Sequence, residues 1–487
     1  MERNDPRDML IAGLTKENAE LREQVALLTA TITELQETIK EQRRQLNQDS
    51  HNSSKPPSSD GYKKVRTKSM RKKSERKVGG QKGHPGAHME IPHEADEIKQ
   101  HLPDKCHACP HLTECVKSGQ VFKCGEKRYE VNAVITTKVT EHQSMEAIGC
   151  RKGEQNLRGG FPENIRAYVQ YGDSVTVLAG LLSTYGAVSV ERIHVFLGSI
   201  LGVSLSGGTI ASMIKKCAKK VGGTLKEIQK LLIGSKVVHF DETGAKVNGK
   251  TIWVHNASTE QLTYQTISSH RGQAGMEEGG ILPNFSGVGV HDCWASYWKY
   301  DAVSHAVCNA HILRELTSVE ENNPEHCWAS SFKALLCAMK KAKEAAIAKG
   351  KTQLSYYFRR KFDTQYDQIL SLANQECPLP SAPSSGGKTG KKKKGTERAL
   401  IERLQRLKES VCLFARDFSV PFDNNQAERD VRNVKTKIKV SGCFRTNTGA
   451  QNYLDLMSYL STGRKHGINV YEALTAAFAG HACIVLQ

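Results

Sequence analysis

Three acidic residues occupy positions that suit metal-dependent chemistry, and two of them end apolar runs. Asp241 follows the run 236–240, and Asp292 follows the run 287–291. Each run is typical of a buried strand, where a lone carboxylate is costly unless its charge is compensated. The 51 positions between the two acids allow two strands, a helix and a return to a neighbouring strand of the same sheet. We therefore predict that their carboxylates lie side by side.

The third acid, Glu428, lies in a segment that is typical of a helix start. Asp423 is the predicted N-cap, with Gln426 reaching back in a capping box, and Asn425, Glu428 and Arg432 then share one helical face. Singly, each of the three acids would more often be a capped surface group. Together, three carboxylates from two strands and a helix are what two Mg²⁺ or Mn²⁺ ions need, about 3.5–4 Å apart, for phosphoryl transfer.

A cysteine cluster indicates a second kind of metal site. The chain has 14 cysteines and no secretory signal, which favours reduced thiols or metal ligands over disulfides. The first pair has a spacing that suits tetrahedral zinc, although the later spacing is irregular. We expect four ligands for a structural Zn²⁺ from five candidates, the alternative being unligated thiols in a small loop: Cys106, Cys109, Cys115, Cys124 and Cys150. Cys217, Cys337 and Cys483 are expected to be buried small apolar residues.

The net charge of +18 is unevenly distributed along the chain. Between residues 62 and 82 there are ten Lys and Arg against Glu75 alone, so this segment carries half of the excess. Such density favours a nucleic-acid-binding arm over a merely solvated tail. The residues concerned are Lys63, Lys64, Arg66, Lys68, Arg71, Lys72, Lys73, Arg76, Lys77 and Lys82. Because no apolar run approaches about 18 residues, we expect no membrane association and a cytoplasmic location.

The N-terminal segment 11–46 carries a seven-residue apolar repeat. β-Branched residues dominate one row and leucines the other, which favours a parallel dimer, and Asn18 in the first row would fix its register. We predict a homodimer through this coiled coil. The alternative is one amphipathic helix packed on its own chain. The Ser- and Pro-rich stretch 52–61 cannot continue the helix and is expected to be a linker.

The central part of the chain changes from helical to strand patterns. Helices are expected at 174–185, 190–201 and 206–217, and the last two could form a helix-turn-helix that starts its second helix at Ser206. Four lysines near the end of that helix would meet phosphate or complement the helix dipole: Lys215, Lys216, Lys219 and Lys220. Next come strands at 236–247, 251–255 and 262–267, with a hairpin turn at Asn248-Gly249.

The 136 positions between Asp292 and Glu428 exceed what one strand and one helix require. We therefore predict an inserted helical module with helices at 328–349, 354–373 and 396–414. The lysines at 391–394 fit a solvated loop better than a DNA contact. After Glu428, a basic stripe is expected to contact the substrate backbone: Lys435, Lys437, Lys439 and Arg445.

Several motifs occur in an order that resembles the transposases of the insertion sequence 66 family. They are Asp241-Glu242-Thr243, Asp292-x4-Tyr297, Cys308-Asn309-Ala310-His311-x2-Arg314-Glu315, Asp423-Asn424-Asn425-x2-Glu428-Arg429, the linker 52–60 and the Gly-rich block 79–86. The resemblance spans nearly the whole chain. One departure lies in the cysteine region, because many relatives have two Cys-x2-Cys pairs whereas Cys150 has no close partner here.

The resemblance implies a ribonuclease H-like catalytic domain in which Asp241, Asp292 and Glu428 match the family's catalytic triad. The implied reaction is metal-dependent cleavage at terminal inverted repeats of double-stranded DNA, followed by joining to target DNA, with small accessory proteins in some members. His311 and Arg314 match a motif near the site and would position phosphate. We also assign Arg429 and Arg432 to DNA binding.

The expected fold is multidomain α+β, in a bacterial protein associated with the nucleoid. Its predicted parts are a coiled coil (1–49), a basic arm (50–95), a zinc-binding module (96–160), a helical DNA-binding region (161–234), the first part of a ribonuclease H-like α/β core (235–320), a helical insertion (321–418) and the rest of the core (419–487). Two alternative functions remain: a DNA-binding regulator with an inactive core, and a nuclease without strand transfer.

Overall fold

The computed structural model describes residues 6–49, 52–53, 94–147 except 121, 125, 132 and 134, 158–379 and 395–480. The chain divides into two units, Met1–Thr67 with Gln143–Ser199 and Val203–Gln487, and Lys68–His142 with Ile200–Gly202. The predicted basic arm from Lys63 to Lys82, Cys150, Cys483 and the lysines at 391–394 lie outside the described residues.

The larger unit holds a five-stranded sheet surrounded by helices. The strands are β1 (Val237–Val247), β2 (Lys250–Ser258), β3 (Thr263–Ser268), β4 (Val288–His291) and β5 (Ser304–Val307). The helices before the sheet are α1 (Pro6–Leu46), α2 (Asp104–His107), α3 (Leu112–Ser118), α4 (Asp173–Ser183), α5 (Val190–Leu201) and α6 (Gly207–Ile233), of which α2 and α3 belong to the smaller unit. Those that follow are α7 (Gln273–Gly279), α8 (Asn309–Asn322), α9 (Trp328–Ala348), α10 (Tyr356–Glu376), α11 (Thr396–Arg406), α12 (Lys408–Arg416), α13 (Asn425–Ser441), α14 (Asn447–Lys465) and α15 (Val470–Ala479).

The sheet order is β3-β2-β1-β4-β5, which places β1 at its centre. β1, β2 and β3 are antiparallel neighbours, whereas β4 and β5 run parallel to β1. The predicted meander and its turn are confirmed: Asn248 and Gly249 have φ of 45° and 79°, the left-handed pair that a tight hairpin needs. β4 also takes the predicted place beside β1.

Two apolar cores surround this sheet. One joins β1 and β2 to α13 and α14, through residues such as Val254, Val434 and Leu454. The other joins β4 and β5 to α8–α12, with Trp328 and Tyr366 fully buried at its centre. The sheet is therefore held between α13 and the predicted helical insertion. Among the described residues, no helix is long and apolar enough to cross a membrane.

Two helix predictions need correction. The helix expected at 206–217 begins after Ser206, whose hydroxyl accepts a hydrogen bond from the Thr209 amide, but it continues to Ile233. Leu225, Ile228 and Leu232 extend its buried face beyond the glycine pair at 222–223. The four lysines from 215 to 220 consequently lie within α6, so the proposed dipole complementation at its end is wrong. The helix expected at 396–414 is divided into α11 and α12.

The long helix α1 leaves its predicted seam exposed. Leu14, Leu21, Val25 and Ile32 are each at least half exposed. In the described residues, these side chains do not pack on the protein's own chain, contrary to the alternative of a self-packed amphipathic helix. The homodimer stays a prediction.

Candidate active site

Asp241 lies within β1, and Asp292 directly follows the neighbouring parallel strand β4. The register pairs His239 with Val290, and each acid lies two residues beyond its paired neighbour. The chain turns sharply after β4: Asp292 Oδ1 accepts a hydrogen bond of 3.0 Å from the Trp294 amide, and Cys293 has a φ of 70°. A non-glycine residue in this left-handed conformation is strained, and such strain often accumulates at functional sites.

Asn424 holds the third acid's helix against β1. Its side-chain amide donates a hydrogen bond of 2.7 Å to the Phe240 carbonyl, and its Oδ1 accepts one of 2.8 Å from His239 Nδ1. Its backbone amide donates to the Cys308 sulfur at 3.2 Å. Because Asn424 is only 2% exposed, these contacts form in the interior. They hold the first turn of α13, which carries Glu428, against the first half of β1, and the charge of Glu428 acts on Asp241.

The predicted capping box at this helix is wrong. α13 begins at Asn425, and its N-cap is Asn424, whose side chain makes no capping bond. Asp423 instead accepts from the Asn425 amide, and Gln426 donates to the Asp430 carboxylate. The sequence contained the right residue types, but the tertiary contacts of Asn424 and Asp430 determine where the helix begins and how it docks.

The charges of the other two predicted acids act on Asp241. Burial raises the pKa of Asp241 well above its usual range, and the charges of Glu242, Asp292 and Glu428 raise it further. The pKa of Glu428 is instead lowered. The main cause is its contact with His311, and the charge of Arg314 contributes. Asp241 is therefore a buried acid whose charged form is opposed by neighbouring acids, and a bound cation would relieve this.

His311 approaches the third acid from α8. Its Nε2 lies 3.4 Å from Glu428 Oε1, an ion-pair distance without hydrogen-bond geometry. Its Nδ1 is buried and has no hydrogen-bond partner among the described residues. The backbone amide of Asn309 donates a hydrogen bond of 3.1 Å to the Phe422 carbonyl, which connects the start of α8 to the segment before α13. The two motifs around Asn309 and Asn424 thus interlock at the site.

A second buried acid, Glu242, was not singled out from the sequence. Its side chain is 1% exposed and accepts hydrogen bonds from Tyr297 Oη and Arg271 Nη2, both at 2.7 Å. Burial and then the Asp292 charge raise the pKa of Glu242, while these two bonds oppose the rise. The Arg271 guanidinium lies 4.9 Å from the Trp253 ring and 4.3 Å from the Trp294 ring. Glu242 and Tyr297 both had a sequence signal as members of family motifs, whereas Arg271 had none.

The basic residues around α13 differ in accessibility. Arg429, Arg432 and Arg445 are exposed, whereas Lys437 is buried and donates 2.8 Å to the carbonyls of both Ser183 and Val188. Burial lowers the pKa of Lys437 to about 8. Its ammonium is used to hold the loop between α4 and α5, so the expected contact with the substrate backbone does not fit this residue.

The donor chemistry of the carboxylate site fits a hard divalent cation. Its side chains offer only carboxylate oxygens, which Mg²⁺ and Mn²⁺ prefer. Glu428 Oε1 is buried and makes no hydrogen bond among the described residues, so it is an acceptor that lacks a donor. As the side chains stand in the described part of the chain, no group of three or more His, Cys, Asp or Glu has a metal-binding arrangement.

The described cysteines of the predicted zinc module likewise form no metal-binding arrangement. Cys106, Cys109 and Cys115 are partly exposed free thiols, and Cys124 is an exposed one. With Cys150 outside the described residues, the structural Zn²⁺ stays a prediction. Cys217, by contrast, is fully buried, as expected of a small apolar residue.

Comparison with known proteins shows the family of the chain. The family model described as Transposase IS66 family matches residues 173–452, which is more than half of the chain and contains all three predicted acids. A family of unknown function matches residues 3–90. The search of curated proteins gave no match. On the first of these matches, the chain belongs to the IS66 family of transposases.

Proposed function

We propose that the protein is a DNA transposase that cleaves the ends of its element and joins them to target DNA, using Asp241, Asp292 and Glu428. The observation that carries this proposal is that Asp241 and Asp292 follow paired residues of the parallel strands β1 and β4, with the charges of Asp292 and Glu428 acting on Asp241, in a chain that belongs to a transposase family. This relation depends on tertiary structure, because Asp241 and Glu428 are 187 positions apart in the chain.

The proposed catalytic fold is ribonuclease H-like. A meander of three antiparallel strands followed by two strands parallel to β1 supports this assignment, as does the position of α13 against β1 and β2. We retain the domain boundaries proposed from the sequence, with 321–418 as a helical insertion into this core.

Each site residue has a proposed role. Asp241, Asp292 and Glu428 would hold two Mg²⁺ or Mn²⁺ ions, which when bound activate a water or 3′-hydroxyl and stabilise the leaving oxygen. Glu242, which accepts hydrogen bonds from Tyr297 and Arg271, ties the middle of β1 to the segments that carry these two residues and so positions the neighbouring Asp241. His311 orients Glu428 from the side of α8.

DNA contacts are proposed for the accessible basic groups near the site. The charges of Arg314 and Arg432 already act on Glu428, so both lie where they could meet phosphate oxygens. Arg429, Lys435 and Arg445 extend this set, and Lys437 is left out because its ammonium is buried. The basic arm, the structural Zn²⁺, the coiled-coil homodimer and any accessory proteins complete the proposal.

Product analysis tests this function against its two alternatives. Purified protein is incubated with Mg²⁺ or Mn²⁺, a duplex bearing the inverted repeat that flanks its gene, and a target plasmid. We expect joined products from the wild-type protein and none from Asp241→Asn. Broken ends without joining would favour a nuclease, and DNA binding without any cleavage would favour a regulator with an inactive core.

A further inference from the structure

The start of α10 presents an unusual surface, which we call the aromatic tip: the three consecutive residues Tyr356, Tyr357 and Phe358. Their exposed fractions are 69%, 70% and 44%. Single exposed aromatic side chains are common, but three in a row at one helix end are not needed to cover a core. Such a surface indicates a binding partner.

The aromatic tip is firmly held. Leu354 and Phe362, on either side of it, are 3% and 7% exposed and belong to the core of the helical insertion. Ser355 caps the helix by accepting from the Phe358 amide, and the Phe358 ring stacks on Phe362 with centroids 6.1 Å apart. The two tyrosine rings are therefore presented from a rigid base, which lowers the entropy cost of binding.

The charge around the aromatic tip identifies the class of partner. From residue 349 to 362 there are five basic residues and no acidic one: Lys349, Lys351, Arg359, Arg360 and Lys361. Arg359 Nε is buried and has no hydrogen-bond partner among the described residues, so it is a donor that lacks an acceptor. Aromatic rings combined with basic groups suit nucleic acid, in which phosphates meet the cations and unstacked bases meet the rings.

The helix that leads to the aromatic tip, α9, contacts the segment just before Asp423. Lys340 Nζ lies 4.9 Å from the Phe422 ring, immediately before Asp423 and Asn424. Lys343 donates to the Val420 carbonyl at 2.6 Å. From Lys340, α9 continues for eight residues to Ala348, a rise of about 12 Å, before the chain turns into α10.

We propose that Tyr356 and Tyr357 bind unpaired DNA bases by stacking, with Arg360 and Lys361 contacting the adjoining phosphates. Paired bases hide their faces within the duplex, so exposed rings on a strand-cleaving protein would select bases released from pairing. This inference rests on the proposed function for its choice of substrate. Its physical basis, the aromatic tip and its charge, does not depend on catalysis.

Fluorescence anisotropy with a labelled dT20 strand and a 20-base-pair duplex tests the proposal, using the full-length protein in buffer without added divalent ions. We expect Tyr356→Ala/Tyr357→Ala to weaken dT20 binding by about fivefold to a hundredfold, with duplex affinity changing by less than about twofold. Tyr356→Phe/Tyr357→Phe should retain dT20 affinity because the rings remain. Tyr471→Ala, at another exposed tyrosine, should change neither affinity.

The outcomes separate this inference from the proposed function. Unchanged dT20 affinity in the double alanine variant, an equal loss on both DNAs, or no dT20 binding by the wild-type protein would overturn it. Asp241→Asn should bind dT20 as the wild-type protein does. A protein that passes these tests but never joins DNA ends would contradict the proposed function alone.

Discussion

Asp292→Asn should slow strand cleavage at least about a thousandfold, since removing a metal-binding carboxylate costs several kcal/mol of transition-state stabilisation. The substitution should not lower the stability of the fold. Asparagine keeps the oxygen that accepts from the Trp294 amide. The charge of Asp292 also raises the pKa of both Asp241 and Glu242, so its removal relieves repulsion between buried acids. We therefore expect a melting temperature at or above that of the wild-type protein.

Single-turnover cleavage with saturating Mn²⁺, together with thermal melting, measures both effects. Asp301→Asn is a matched control, because Asp301 is an exposed acid in the connection between β4 and β5. It should retain wild-type cleavage. An Asp292→Asn protein that cleaves within about tenfold of wild type would remove Asp292 from the catalytic set, and a large fall in melting temperature would make it a structural residue.

Asn424→Ala has the second largest expected effect, and this one is on stability. The substitution removes the hydrogen bonds to Phe240 and His239 and leaves the Phe240 carbonyl unsatisfied in the interior. Lost bonds of about 1 kcal/mol each plus about 1–3 kcal/mol for the unsatisfied group predict a decrease of about 3 kcal/mol in the free energy of unfolding. Cleavage should also fall, because α13 then no longer holds Glu428 against β1.

Urea denaturation of Asn424→Ala and of its neighbour Asn425→Ala measures whether the loss of stability is specific to Asn424 or follows any substitution in this segment. Asn425 is adjacent and exposed, so Asn425→Ala should change the free energy of unfolding by less than about 0.5 kcal/mol. Equal stability of Asn424→Ala and wild type would contradict the proposed docking role. Asn424→Asp adds a further check, since it keeps the acceptor for His239 but loses the donor to Phe240.

The sequence predicted the parts of the site that depend on local patterns. The runs before Asp241 and Asp292 were long enough for adjacent strands, and the Asn248-Gly249 turn determined the register of the first hairpin. Strand period and turn chemistry act over a few residues, so they can be recognised without knowledge of the tertiary fold.

Such local patterns could not predict contacts between segments that are distant in the chain. Glu242 receives its donors from Arg271 and Tyr297, 29 and 55 positions away, and no local spacing relates the three residues. Asn424 meets His239 across 185 positions, which explains why the predicted capping box failed. Lys437 resembled a surface cation in sequence, yet its periodic position on α13 faces the α4–α5 loop.

The central claim is that the three carboxylates together hold the divalent ions. Electron paramagnetic resonance of free Mn²⁺ during titration of the full-length protein, bound to a duplex of its element end, measures this directly. The account predicts two Mn²⁺ ions bound per catalytic site in the wild-type protein, and a loss of bound Mn²⁺ in Asp241→Asn, Asp292→Asn and Glu428→Gln but not in Asp301→Asn. Equal Mn²⁺ binding by the wild type and all three carboxylate variants would contradict it.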